Sequence, residues 1–146
     1  MRSSFRHILL ALFLTATLPY SAAHADFEAG RDAYNRDDYA TALREFRPLA
    51  EQGNARAQTN LGGMYAKGQG VPQDDQQAIA WLRKAAEQEY AEAQFNLGVA
   101  YANGRGVPQD NQQALAWFRK AAAQGQAHAQ TNLGWIYAEG QGVPQD

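Results

Sequence analysis

Apolar positions in this chain recur at steps of three and four, the spacing of a single helical face. Ala57, Leu61 and Tyr65 form one such ridge, and Gly62 beside it lets a neighbouring helix approach closely. The ridge returns as Ala93, Leu97 and Tyr101 with Gly98, and again as Ala129, Leu133 and Tyr137 with Gly134. A second periodic set predicts a second helix that buries Ala78, Trp81, Leu82, Ala85 and Ala86, with Ala114, Trp117, Phe118, Ala121 and Ala122 as its equivalents. The alanines permit close helix packing, and each Trp is expected to fill the gap between successive units. Between the two helices Gly68 and Gly70 break the periodicity, Val71 is placed to pack beneath the turn, and Pro72 disfavours helix at Val71. Asp74 and Asp110 stand at N-cap positions, and Gln77 and Gln113, three residues on, give the spacing of a capping box.

The helix pairs are copies of one another. Asn-Leu-Gly recurs at 60–62, 96–98 and 132–134, and Val-Pro-Gln-Asp at 71–74, 107–110 and 143–146, each at a period of 36. Residues 55–90 and 91–126 agree at 24 of 36 positions, and residues 127–146 agree with 55–74 at 16 of 20. A fixed period of this length predicts an all-α protein, an α/α superhelical solenoid of helix–turn–helix repeats. The repeats are 55–90, 91–126 and an incomplete 127–146, whose Ile136 and Tyr137 are expected to lack the cover of a second helix if the sequence is a truncated product or fragment, or to gain it from another chain that completes the unit. Residues 26–54 form an atypical first unit: Gly30, Ala33, Tyr34, Tyr39, Ala42, Leu43 and Phe46 keep the ridges, but the Gly-x-Gly-Val-Pro loop is missing. Aligning Gly30 with Gly62 and Asn54 with Tyr90 gives offsets of 32 and 36, so its loop is about four residues shorter. Pro48 is expected to kink its second helix.

The run Ala-x-Ala-Gln-x-Asn-Leu-Gly-x-x-Tyr-Ala-x-Gly-x-Gly-Val-Pro-Gln-Asp, followed by Gln-Gln-Ala-x-Ala-Trp-x-Arg-Lys-Ala-Ala, resembles the Sel1-like repeats (SLR), relatives of the tetratricopeptide repeats. The resemblance covers residues 55–146, and residues 26–54 resemble a tetratricopeptide-like lead-in. It implies a right-handed superhelix acting as an adaptor for protein complexes, frequently in bacterial envelopes. Some secreted members staple each unit with a disulfide; this chain has no Cys and is held by packing alone. Some cysteine-rich members are described as binding penicillin-like compounds, but the Ser-x-x-Lys element of that chemistry is missing here.

The N-terminus follows a different pattern. Arg2 and Arg6 precede an apolar run from Ile8 to Leu18, ended by Pro19 and Tyr20, and Ala23-His24-Ala25 puts small residues where a signal peptidase reads. Residues 1–25 are read as a signal peptide cut after Ala25, which predicts a periplasmic or secreted protein. The run is too short to cross ~30 Å of hydrocarbon as a helix, and no later run approaches that length, so no membrane insertion is expected after cleavage. Removing this segment takes away two arginines and no acid, which leaves 11 basic against 15 acidic residues, a net of −4. That balance speaks against a nucleic-acid partner, which calls for a basic footprint.

Catalytic chemistry finds few residues. From Asp26 onward there is no Ser or Cys, and His128 is the only His, so Ser–His and Cys–His nucleophiles are not available. The acid pairs Asp37–Asp38 and Asp74–Asp75 read as caps and first-turn acids. The Gly-x-Gly turns lack the preceding strand and following Lys of a phosphate loop. No cofactor, metal site or catalytic residue is assigned. The function expected is a non-catalytic protein–protein interaction adaptor, with an envelope glycan-binding module or a carboxylate-based hydrolase as alternatives.

Within the first helices, the positions that change between units fall on one stripe opposite Leu61. It reads Arg56, Thr59, Gly63, Lys67; then Glu92, Phe95, Val99, Asn103; then His128, Thr131, Trp135, Glu139. Packing does not dictate these residues, so they are the candidates for contact with a protein partner. Phe95, Val99 and Trp135 are expected to come together as an apolar anchor, with Lys67, Glu92 and Glu139 at the rim.

Overall fold

In the computed structural model, residues 25–138 are described, and they form seven helices with no strand among them. They are α1 (Phe27–Asn35), α2 (Tyr39–Glu51), α3 (Ala55–Lys67), α4 (Asp75–Glu87), α5 (Ala91–Asn103), α6 (Asn111–Ala123) and α7 (Ala127–Ala138). Each helix packs on the next in the chain, and α3 also touches α5. The first helices α3 and α5 of neighbouring units thus lie side by side along the inner wall of the stack, with α4 outside.

Local chemistry sets the helix ends. Asp74 and Asp110 accept from the backbone N–H of Gln77 and Gln113, both at 3.0 Å. The reciprocal half of the capping box is replaced: the N–H groups of Asp74 and Asp110 donate to the carbonyls of Tyr65 and Tyr101 at 3.0 and 2.9 Å, tying each turn back to its own first helix. The turn of the first unit spans 36–38, against 68–74 and 104–110 in the next two, so it is four residues shorter, as the offsets require. α2 runs as one helix through Pro48.

The core is a row of clusters, one at each junction between units. Phe46, Leu61 and Met64 anchor the first, Ile79, Leu82 and Leu97 the second, and Phe118 with Ala121 and Ala129 the third. Trp81 packs against the first cluster and Trp117 against the second, bridging units as expected. Neither is fully buried, however. One face of each indole is covered by its own helix's lysine, with the Lys84 and Lys120 Nζ atoms 4.4 and 4.5 Å from the ring centroids. The buried large residues of these helices include Ile79 (7% exposed) and Leu115 (1%), which the periodic reading passed over. Gly98 marks a close helix approach: a Cβ there would lie 2.7 Å from the Phe118 ring.

Three polar features repeat with the unit. Arg47, Arg83 and Arg119 each donate to a tyrosine hydroxyl of the following unit, Tyr65, Tyr101 and Tyr137, at 3.3, 3.2 and 2.8 Å. Buried glutamine amides link neighbours as well: Gln58 donates to the Ala50 carbonyl at 3.0 Å and accepts from Gln88 at 2.8 Å, and Gln94 repeats this with Ala86 and Gln124. Lastly, both long turns among the described residues lean back on the preceding unit. Gly70, at φ 72°, lies so close to the Tyr39 carbonyl that a Cβ would stand 2.9 Å from its oxygen, and Gly106 meets the Asp75 carbonyl in the same way. Between those glycines and the helix end, Gln69 accepts from the Tyr34 hydroxyl at 2.9 Å, and Arg105 donates to Asp75 and to the Ala66 carbonyl at 3.0 and 3.1 Å.

Candidate functional site

The inner wall carries three adjoining depressions. The first, about 520 Å³, lies between α3, α4 and α5, and its lining includes Asn60, Lys67, Glu92, Asn96 and Val99. The second, about 350 Å³, continues past Val99 to Asn103, Asn132, Trp135 and Ile136. The third, about 630 Å³ and more open, lies at the start of α5 and takes in Glu89, Tyr90, Glu92, Phe95 and His128.

Most stripe residues meet at these depressions, but not as the single patch expected. Val99 and Trp135 share one depression, while Phe95 lies in another beside Glu92 and His128. The reason is packing: the Phe95 ring leans on Phe118 (centroids 5.7 Å apart) and on His128 (5.9 Å). Thr59 borders the groove but is only 5% exposed, because its hydroxyl donates to the Ala55 carbonyl at 2.8 Å and turns along its own helix. Thr131 does the same with Ala127 at 3.1 Å, although it is exposed. Arg56 is exposed, with its guanidinium 4.1 Å above the Phe27 ring. Trp135 is the most exposed large apolar residue described, at 59%. Glu139 and the whole of residues 1–24 lie outside the described residues.

Sequence reasoning missed the asparagines. Asn60, Asn96 and Asn132 recur at the period of 36 and so fall outside the variable stripe, yet all three line the groove half-buried. Asn60 donates to the Arg56 carbonyl at 2.9 Å, and its amide oxygen is not used in that bond. The signal available was chemical: an amide is a costly residue to repeat at a position that leucine or alanine would serve by packing alone.

In the third depression the Tyr90 phenol is held in its neutral form. Burial pushes the Tyr90 phenol above its usual range, and Glu92, which accepts from that hydroxyl at 3.3 Å, adds to the shift; Arg56 opposes it. Among the described residues, no three His, Cys, Asp or Glu side chains gather in a way that could hold a metal ion, and no helix is long and apolar enough to cross a membrane. The acids Asp38, Asp74 and Asp110 serve as helix caps.

Three segments, residues 55–90, 91–126 and 127–146, match the Sel1 repeat. The chain belongs to the Sel1 repeat family. It is similar to a Sel1 repeat protein from Oxalobacter formigenes, with a TM-score of 0.78 and 36% identity over 84% of this chain and 49% of that one. It is also similar to a protective antigen present in uropathogenic Escherichia coli strains that displays an SLR fold, with a TM-score of 0.75 and 37% identity over 80% of this chain and 26% of the antigen. The chain thus spans about half the length of the first and about a quarter of the second. No curated protein matches the chain. Sel1 repeats are generally a non-enzymatic scaffold fold, and proteins built from them typically mediate protein–protein interaction.

Proposed function

We propose that this Sel1 repeat chain is an adaptor, exported to the periplasm or secreted, whose inner groove holds an extended segment of a partner polypeptide. The observation that carries this reading is the division of labour along the groove. Repeated amides from Asn60, Asn96 and Asn132 alternate with residues that differ in each unit, among them Lys67, Glu92, Val99, Asn103 and Trp135. An amide donates and accepts at once, so it serves main chain of any sequence, while its changing neighbours select side chains. The spacing agrees: packed helices stand ~8–10 Å apart, and three residues of extended chain span ~10 Å.

The test is calorimetric titration with a panel of extended peptides. Asn96→Ala is expected to weaken every binder, whereas Phe95→Ala and Trp135→Ala each cost at least ~2 kcal/mol for a subset of them. Unchanged affinity in all three variants, with circular dichroism showing an intact fold, refutes the groove. Export rests on the Arg-flanked apolar run and the Ala23-His24-Ala25 site; N-terminal sequencing of envelope protein should begin at Asp26, and a cytosolic protein starting at Met1 refutes it. The exposed Trp135 favours one other reading, stacking on an envelope glycan, which a cell-wall pelleting assay tests directly.

A further inference from the structure

The first and second depressions are the same place in consecutive units, and many of their lining residues correspond at the period of 36. Three of these positions are unchanged: Ala66 and Ala102, Ala78 and Ala114, Asn96 and Asn132. The positions that differ all change in one direction. Two lose a charge, since Asn103 stands where the first depression has Lys67, and Asn111 where it has Asp75. The others gain apolar bulk: Val99, Phe118, Trp135 and Ile136 stand in place of Gly63, Leu82, Val99 and Ala100. Drift at a free surface would add charges and remove bulk as often as the reverse.

The outcome is two depressions of different chemistry. Glu92 and Arg105 also line the first, of about 520 Å³, whereas no charged residue among those described lines the second, of about 350 Å³. In the second, Phe118 is buried, Val99 and Ile136 are half-buried, and the Trp135 ring stands open. The Asn103, Asn111 and Asn132 side chains around them make no hydrogen bond among the described residues. A charged side chain entering there would give up its hydration and meet no opposite charge. An apolar one gains by leaving water, and tryptophan is a residue type that anchors such contacts.

We infer that the second depression receives an uncharged, apolar side chain of the partner polypeptide against Trp135, one repeat along from a depression lined by charges. This rests on the groove reading above and adds the chemistry of one position in the ligand. The three asparagine amides, which both donate and accept, serve the main chain on either side of that residue.

The test follows the intact chain by nitrogen–proton NMR during titration with three blocked peptides, acetyl-Ala-Ala-Leu-Ala-Ala-amide and its lysine and glutamate counterparts. The leucine peptide is expected to shift the Trp135 indole N–H signal and to bind at least about fivefold more tightly than either charged peptide. Trp135→Ala should reduce that preference to under about twofold. Asn103→Lys, which copies the charge of the first depression, should reduce it as well and tighten binding of the glutamate peptide. Both positions are exposed, and circular dichroism checks that both variants keep the fold. Equal binding of the three peptides, or a leucine preference that survives both variants, overturns this assignment and leaves the groove standing. A Trp135 signal that moves with chitotriose and with none of the peptides, or with protein concentration alone, overturns it in favour of a glycan or of a second copy of the chain. Failure of all three peptides to bind overturns the groove as well.

Discussion

Gly63→Ala and Gly98→Ala add the same methyl group to the inner helices of neighbouring units, in opposite surroundings. Replacing a mid-helix glycine by alanine gains about 0.5–1 kcal/mol of helix stability wherever the methyl has room. At Gly63 it has room, since nothing lies within 4 Å of the added Cβ. At Gly98 the Cβ would stand 2.7 Å from both Cδ1 and Cε1 of Phe118 and 3.3 Å from the Ala114 carbonyl oxygen. The Phe118 ring is buried and backed by Phe95, so it has nowhere to swing and α5 must move away from α6. Overpacking of this kind costs about 1–3 kcal/mol, which exceeds the helix gain. Gly63→Ala should therefore stabilise the chain by up to ~1 kcal/mol, and Gly98→Ala should destabilise it by about 0.5–2 kcal/mol. For a domain of this size, 1 kcal/mol corresponds to roughly 4 °C, so the two melting temperatures should differ by about 4–12 °C. Thermal melts followed by far-ultraviolet circular dichroism, with urea midpoints as a check, give the answer. Equal stabilisation by both substitutions would mean that α5 and α6 do not approach as described.

Two further outcomes follow from the packing and the caps. Leu115→Ala should cost about 2–5 kcal/mol in urea unfolding, as a fully buried leucine does, while Trp117→Ala should fall below the ~3–5 kcal/mol of a fully buried tryptophan because part of its ring faces Lys120 and solvent; a Trp117 cost within or above that range would contradict the half-buried placement. The Asp38 carboxylate is held below its usual range by the side chain and then the backbone N–H of Thr41, so the stability this bond adds is present above about pH 4 and is lost as pH falls through the depressed folded value. Relative to Asp38→Asn, the natural chain should accordingly lose stability below pH ~4; a stability difference that stays constant on acidification refutes the bond.

Much of this architecture is readable in the sequence because a repeat states its own period. The Gly62 and Gly98 ridges, the Asp74 and Asp110 caps and the shortened first turn all follow from comparing one unit with the next. The same comparison misled at Asn60, Asn96 and Asn132. Identity between units shows only that a residue is required, and an amide facing a groove is required as uniformly as a leucine facing a core. At Thr59 the error ran the other way: variability suggested a free surface, but a threonine hydroxyl can satisfy itself on the carbonyl four residues back and turn inward. Ile79 and Leu115 escaped because Trp81 and Trp117 drew the predicted apolar face toward themselves, whereas an indole under a lysine stem can sit at the edge of a core.

The backward lean of the turns gives the stack a direction. Gly70 rests on Tyr39, Gly106 on Asp75, and Gln69 and Arg105 bond to side chains of the unit before them. Every seat is thus built from chain that has already been synthesised. A chain delivered N-terminus first presents each of these surfaces before the turn that uses it, and helices form within about a microsecond. Each new turn therefore meets a finished surface, and growth proceeds like laying courses of brick. Loss of material is equally one-sided: removing α7 leaves these earlier seats in place, while removing α1 and α2 takes away the surface on which the 68–74 turn sits.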